Sequence, residues 1–181
     1  MKNLDTERLL LRKFKESDSK DLYEYAQSDL VGPNAGWLPH KNEEESKKII
    51  NIFIERDDTY AIVLKSENKV IGSIGLHNKV PDERFLDLKQ IEIGYALSHK
   101  YWGQGIMPEA VNRVIEYGFK ELNLDLIWCG HADFNRNSKR VIEKCGFNYK
   151  FTKNRSLRHL DNKEISVLLY NISKDEYMRW S

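Results

Sequence analysis

Tyr101-Trp102-Gly103-Gln104-Gly105-Ile106-Met107-Pro108-Glu109-Ala110 reads as a turn leading from a strand into a helix. Just upstream, Ile91-Glu92-Ile93-Gly94-Tyr95-Ala96-Leu97 is an apolar run of strand length. Downstream, Ala110, Val111, Val114, Ile115, Gly118, Phe119 and Leu122 recur at helical spacing, which gives that helix one buried face. Pro108 suits the first helical position, where its missing N–H would have had no partner. Two glycines before a helix start let backbone N–H groups converge where the positive end of the helix dipole lies. That outlines an anion site, most often one for phosphate. Alone it is a weak signal, since an ordinary tight turn looks the same. No third glycine follows at dinucleotide-fold spacing and no Gly-Lys-Ser/Thr is present, so neither of those phosphate loops is intended.

The 181 residues suit one well-packed domain spanning 1–181. With 29 basic and 28 acidic residues the formal charge is +1, which gives no electrostatic case for nucleic acid or an acidic membrane. The first dozen residues hold no long apolar run, so neither a signal peptide nor a membrane span is expected and the cytoplasm is the default. Cys129 and Cys145 have no metal-site spacing, and no metal is expected; buried free thiols are the reading in a reducing compartment.

In chain order, Leu9-Leu10-Leu11 is a short strand, and Ser17 or Asp18 caps a helix through Leu22, Tyr23 and Ala26. The turn-rich stretch from Gly32 to His40 carries Trp37, either a functional loop or a plug for one end of the core. Asn42 with Glu45 opens a helix through Ile49, Ile50, Phe53 and Ile54. Tyr60 to Leu64 and Val70 to Leu76 form a hairpin. Leu126 to Ala132 is a further strand, then a short helix with Val141 and Ile142 ends at Gly146. Phe147 to Phe151 and Ile165 to Ile172 alternate as two closing strands. The fold class is α/β (α+β): a mixed, mostly antiparallel sheet of about six to seven strands flanked by helices.

Three stretches coincide in order and spacing: Glu92 to Leu97, Trp102 to Ala110, and Asn135-x-x-Ser138 followed by Lys144-Cys145-Gly146-Phe147. Together they resemble the GNAT superfamily of acetyl-CoA-dependent N-acetyltransferases. Thr6-Glu7-Arg8-Leu9-Leu10-Leu11-Arg12 adds a likeness to the branch that includes ribosomal-protein N-terminal acetyltransferases. The resemblance implies that Gly103, Gln104, Gly105, Ile106 and Met107 present backbone amides to the CoA pyrophosphate. It implies that Tyr95, Ala96 and Leu97 pair edgewise with pantetheine, and that Asn135 helps hold the same cosubstrate, although a plain N-cap would look identical. Gly94 is consistent with a bulge that splays this strand from the Trp128–Ala132 strand. The chain departs from the family in having Trp102 and Met107 at either end of the pyrophosphate turn. It also has Ile142 where many relatives carry a tyrosine acid.

The implied reaction is attack of a neutral primary amine on the thioester. A general base helps, and Glu92 is the first candidate, with a solvated or ion-paired glutamate as the plain alternative. Glu164 is the second; His77 and His131 read more readily as structural histidines. Ser138 is the candidate donor to the departing thiolate, against a bland role in the first turn of its helix. Glu109 reads as a dipole-favoured carboxylate without chemistry. Arg136, Lys139 and Arg140 are either phosphate contacts or a solvated face, and Trp37 and His40 are candidates to wall the acceptor pocket. The expected acceptor is a peptide N-terminal α-amine, with an aminoglycoside or polyamine as runner-up. A non-catalytic acyl-CoA-binding module is the alternative from another class. A homodimer stays open.

Overall fold

The computed structural model describes residues 1–157 and 163–179. Its strands are β1 (Leu4–Asp5), β2 (Leu9–Lys13), β3 (Thr59–Leu64), β4 (Lys69–His77), β5 (Gln90–Leu97), β6 (Leu126–Ala132), β7 (Asn148–Leu157) and β8 (Lys163–Ser173). The helices are α1 (Ser19–Ala26), the single turn α2 (Gly32–Ala35), α3 (Glu43–Arg56), α4 (Ile106–Lys120), α5 (Arg136–Lys144) and α6 (Lys174–Met178). All eight strands form one sheet in the order β1-β2-β3-β4-β5-β6-β8-β7. Every neighbouring pair is antiparallel except β5 and β6. A parallel pair needs a long crossover, and α4 supplies it.

The sheet is buried on both faces, and strand alternation sorts the side chains between them. Leu9, Leu11, Tyr60, Ile62, Ile93 and Leu97 pack with α4 and α5 through Ala110, Val111, Val114, Ile115 and Ile142. Leu10, Ala61, Val63, Val70 and Ala96 face the other way, against Leu22, Tyr25 and Ala26 of α1 and Ile50 of α3. Burying each large aliphatic side chain contributes about 1.5–3 kcal/mol, so α4 is fixed by its apolar stripe. Asn42 caps α3 as its spacing predicts, its Oδ1 accepting from Glu45 N at 2.9 Å. Asp18 stands at the N-cap of α1, but its carboxylate turns to the Arg12 guanidinium (2.7 and 2.8 Å) and to Lys15 N. Gly146, at φ +78°, terminates α5.

Two expectations are revised. The sheet has eight strands rather than six or seven, because the two-residue β1 is too short to carry a periodic signal. Helix α4 begins at Ile106, so Pro108 is its third residue, still in the turn whose N–H groups lack intrahelical partners. β4 and β5 stay in register through Gly75↔Gly94, whereas the pairing of β5 with β6 ends at Ile93, so the break at Gly94 falls on the β6 side, the side on which the sequence reading places it. A Cβ at Gly94 would lie 3.3 Å from Nε2 of His77; the glycine makes room for that imidazole.

Candidate active site

The splay expected between β5 and the Trp128–Ala132 strand is present. β5 and β6 pair in parallel from Gln90↔Leu126 to Ile93↔Cys129 and no further, so Gly94–Leu97 and Gly130–Ala132 diverge. The gap opens into a cavity of about 620 Å³ lined by β5, β6, the glycine turn, the first turns of α4 and α5, and the α2 segment.

At one end lies the glycine turn. Gly103 and Gly105 have φ of +78° and +75°, the left-handed region that only glycine enters without strain. Gly105 is the N-cap of α4 and no side chain caps the helix, so the N–H groups of Ile106 and Met107 lack intrahelical partners. A Cβ on Gly103 would meet nothing within 4 Å. An open cradle of unpaired donors at a positive helix end fits a pyrophosphate. Gly103, Gly105, Ile106 and Met107 line the cavity; Gln104 does not, and its role is to offer its carbonyl to Arg8 Nη1 at 3.0 Å.

That contact belongs to a clamp that sequence reasoning missed. Glu109 Oε1 accepts from Thr6 Oγ1 (2.5 Å) and Arg8 N (3.0 Å), and Oε2 accepts from Arg8 Nε (2.7 Å) and pairs with Nη2 (2.6 Å). Burial alone would raise the Glu109 pKa, but the hydrogen bonds from Thr6 and Arg8 outweigh it and hold it below the usual value. The Thr6-Glu7-Arg8 segment thus ties the sheet's first edge to the glycine turn.

At the other end is Glu92. It is buried, 8% exposed, and lines the cavity; its Oε2 has no hydrogen-bond partner. Lys79 Nζ lies 3.8 Å from Oε2 and Arg155 Nη1 3.9 Å from Oε1, ion-pair distances too long for hydrogen bonds. Neither cation stands out in sequence, because Lys79 comes from a loop and Arg155 from a strand 63 positions beyond Glu92. Glu164 is exposed, opposite Ser156 in the ladder, and does not line the cavity.

Ser138 is the third residue of α5. Its N–H donates to the Asn135 side chain (3.0 Å), and Asn135 Nδ2 donates to Asn34 O (2.9 Å). Asn135 lines the cavity, with its amide engaged at both ends in joining α5 to the α2 segment. Ser138 Oγ meets the Tyr95 hydroxyl at 2.9 Å. Sequence reading values Tyr95 for its backbone alone; the side chain crosses under the splay to α5. Burial pushes the Tyr95 phenol well above its ordinary pKa, so it stays protonated at neutral pH. Tyr95 and Glu92 are three residues apart on one strand, and so point to opposite faces.

Ala96 and Leu97 line the cavity with Tyr95, and Leu97 O accepts from Trp102 Nε1 at 2.9 Å. His131 is held by Ala132 O (2.7 Å) and the Tyr170 hydroxyl (3.2 Å), and His77 faces Asp58 at 3.5 Å. Trp37 and His40 do not wall the pocket: they pack on each other, Trp37 against the core and His40 on Ser46 Oγ at 2.8 Å. Arg140 and Lys144 line the cavity, whereas Arg136 and Lys139 do not. Cys129 and Cys145 are free and buried, and burial pushes Cys145 up to about 12, so neither offers a thiolate. Among the described residues no cluster of three or more His, Cys, Asp or Glu side chains is placed to hold a metal, and no helix is long and apolar enough to cross a membrane.

Residues 8–148 match the Acetyltransferase (GNAT) domain family. The chain is 29% identical over 182 residues to the uncharacterized N-acetyltransferase p20 of Bacillus licheniformis, covering 98% of this chain and 99% of that one. Among solved structures it superposes on a GNAT-family acetyltransferase from Bacillus anthracis with a TM-score of 0.82 at 26% identity, over 97% of this chain and 100% of that one. It also superposes on the ribosomal-protein-S5-alanine acetyltransferase of Vibrio fischeri, with a TM-score of 0.74 at 23% identity, over 98% and 99%. The unpaired amides at the start of α4, the splayed parallel strands and the match across three quarters of its length agree: the chain belongs to the GNAT family of acetyl-CoA-dependent N-acetyltransferases.

Proposed function

We propose that this acetyltransferase acts on the α-amine at the start of a peptide or protein, with Glu92 as the general base and Ser138 as the donor to the departing thiolate. The observation that carries the reading is the buried Glu92 carboxylate, with one oxygen lacking a hydrogen-bond partner, beside the divergence of β5 and β6. Such an oxygen accepts a proton from an incoming ammonium, directly or through one water, and the neutral amine then attacks the thioester carbonyl. The new C–N bond forms as the C–S bond breaks. The thiolate leaves toward α5, where the Ser138 hydroxyl donates to it and the Tyr95 phenol, 2.9 Å behind, donates to Ser138 Oγ. Base and donor lie on opposite faces of β5, as a reaction in which amine enters on one side and thiol leaves on the other requires. The loss of the family tyrosine at Ile142 is tolerable for two reasons: a thiol is already a fairly acidic leaving group, and Tyr95 brings a phenol from a different element.

The glycine turn would hold the pyrophosphate through backbone N–H groups, with Arg140 and Lys144 nearby in the cavity wall. Tyr95, Ala96 and Leu97 would offer the strand edge to pantetheine. For the acceptor, an α-amine has an unperturbed pKa near ~8 and loses its proton more readily than lysine near ~10.4. The Vibrio fischeri protein of the same fold is named for an alanine of a ribosomal protein. A polyamine or aminoglycoside is poorly served, because Glu92 is the one acidic side chain among the described residues that line the cavity. The test is an acetyl-CoA turnover screen across N-terminal peptides, aminoglycosides and polyamines. Peptide turnover is the expected result, and polycations outcompeting every peptide would overturn the assignment.

A further inference from the structure

The charges around Glu92 say more about the acceptor. Lys79 follows β4, whose last residue His77 pairs with Glu92 in the ladder. Arg155 comes from β7, opposite Ile165 of β8, and Ile165 and Val167 form an apolar wall of the same cavity. The two cations therefore approach one buried carboxylate from separate elements, stop 3.8 and 3.9 Å from it, and line the cavity themselves. Two positive groups around one negative group leave this end of the pocket with a net positive charge once a neutral or cationic amine displaces neither. A polycationic acceptor would meet repulsion here. An acceptor with a single ammonium and a nearby carboxylate would meet complementary partners for both: the ammonium at Glu92, the carboxylate between Lys79 and Arg155.

We propose that Lys79 and Arg155 form an anion subsite beside Glu92, and that the preferred acceptor is a primary amine bearing a carboxylate within a few ångströms of its nitrogen. This rests on the reading of Glu92 as the partner of the amine. Two sources supply that chemistry: a free amino acid through its own carboxylate, or a peptide through an acidic side chain in its first residues. Arginine suits the role, since its planar fork can take a carboxylate in two parallel hydrogen bonds. The 35% exposed Arg155 side chain is reachable from the cavity without being fully solvated, so its contribution is greater than that of the 58% exposed Lys79.

The experiment compares kcat/KM for matched acceptors: free amino acids against their α-carboxamides, peptides opening with acidic residues against the same peptides with Asn or Gln, and spermidine, which should be the poorest acceptor. The carboxylate form of at least one source should exceed its amide by about 10- to 100-fold, the range of one or two charge-assisted hydrogen bonds. Arg155→Gln should erase that ratio by raising the acceptor KM while leaving the KM for acetyl-CoA in place, and Arg155→Lys should restore part of it. Lys79→Gln should reduce the ratio less. Equal rates for carboxylates and amides, or an unchanged ratio in a folded Arg155→Gln protein, would overturn the subsite while leaving amine acetylation standing. Turnover of no amine at all would overturn both.

Discussion

Replacing Glu109 by glutamine tests whether the Thr6-Arg8 clamp supports the cosubstrate cradle. The carboxylate takes Thr6 Oγ1 and Arg8 N on Oε1 and the Arg8 guanidinium on Oε2. Glutamine keeps the shape and can keep the Oε1 contacts, but it presents an NH2 group to the guanidinium, donor against donor. Two charge-assisted bonds are lost, each about 1.5–3 kcal/mol when well buried. With the Arg8 side chain 42% exposed and Glu109 19%, solvent screening halves that, leaving a loss of about 2 kcal/mol. For a chain of this size that corresponds to a fall of roughly 4–8 °C in melting temperature, at about 2–4 °C per kcal/mol. Arg8 also steadies the Gln104 carbonyl, so CoA affinity should weaken by about threefold to tenfold, as loss of one ordered hydrogen bond allows. Thermal unfolding with and without CoA, and calorimetric titration with CoA, read both effects. The low pKa of Glu109 adds a sign. Its stabilising contribution is present above the ordinary value of 4.5 and is lost as pH falls through the lower folded value, so the gap between wild type and variant should close in acid. A variant that melts within a degree of wild type at neutral pH and binds CoA equally well would refute the clamp.

Other consequences can be checked in parallel. Ser138→Ala should lower kcat by roughly 10- to 100-fold, the low end for a general acid because the thiol is acidic, and Tyr95→Phe by less. Because Tyr95 acts through Ser138 Oγ, the double variant should match Ser138→Ala alone in a pre-steady-state assay; multiplicative losses would separate the two residues. Burial holds His40 below its ordinary 6.5 against a weaker opposing pull from Glu45. The unfolded chain therefore takes up that proton first, and the contribution of His40 to stability, present above pH 6.5, is lost as pH falls below it. Melting temperature should drop between pH 7.5 and 5.5, and less steeply in His40→Asn, which can still bond Ser46.

The elements that fix the fold were legible where periodicity is strong. The apolar stripe of α4, the β3–β4 hairpin and the Asn42 cap all declare themselves within a dozen residues, because local hydrogen bonding and one buried face decide them. The glycine turn was legible as a turn at a helix start for the same reason, and both its glycines take positive φ there. What escaped depends on distance in the chain. Glu109 looked like a helix-dipole carboxylate because its partners, Thr6 and Arg8, lie about a hundred residues earlier. Tyr95 carries no sign that its hydroxyl reaches α5, and Arg155 none that it crosses to Glu92. Gly94 was legible as the point where β5 parts from β6, since their pairing ends at Ile93, but the His77 ring beside it is brought there only by the fold.

The most direct test of the account is Glu92→Gln measured two ways on the same preparation: CoA affinity by calorimetry, and single-turnover acetylation of an N-terminal peptide. Binding should stay within about twofold, because Glu92 lies away from the cradle, while acetyl transfer falls by about 10²- to 10⁴-fold and recovers in part as pH rises and the free amine becomes abundant. Undiminished transfer by Glu92→Gln would contradict the assignment of the base.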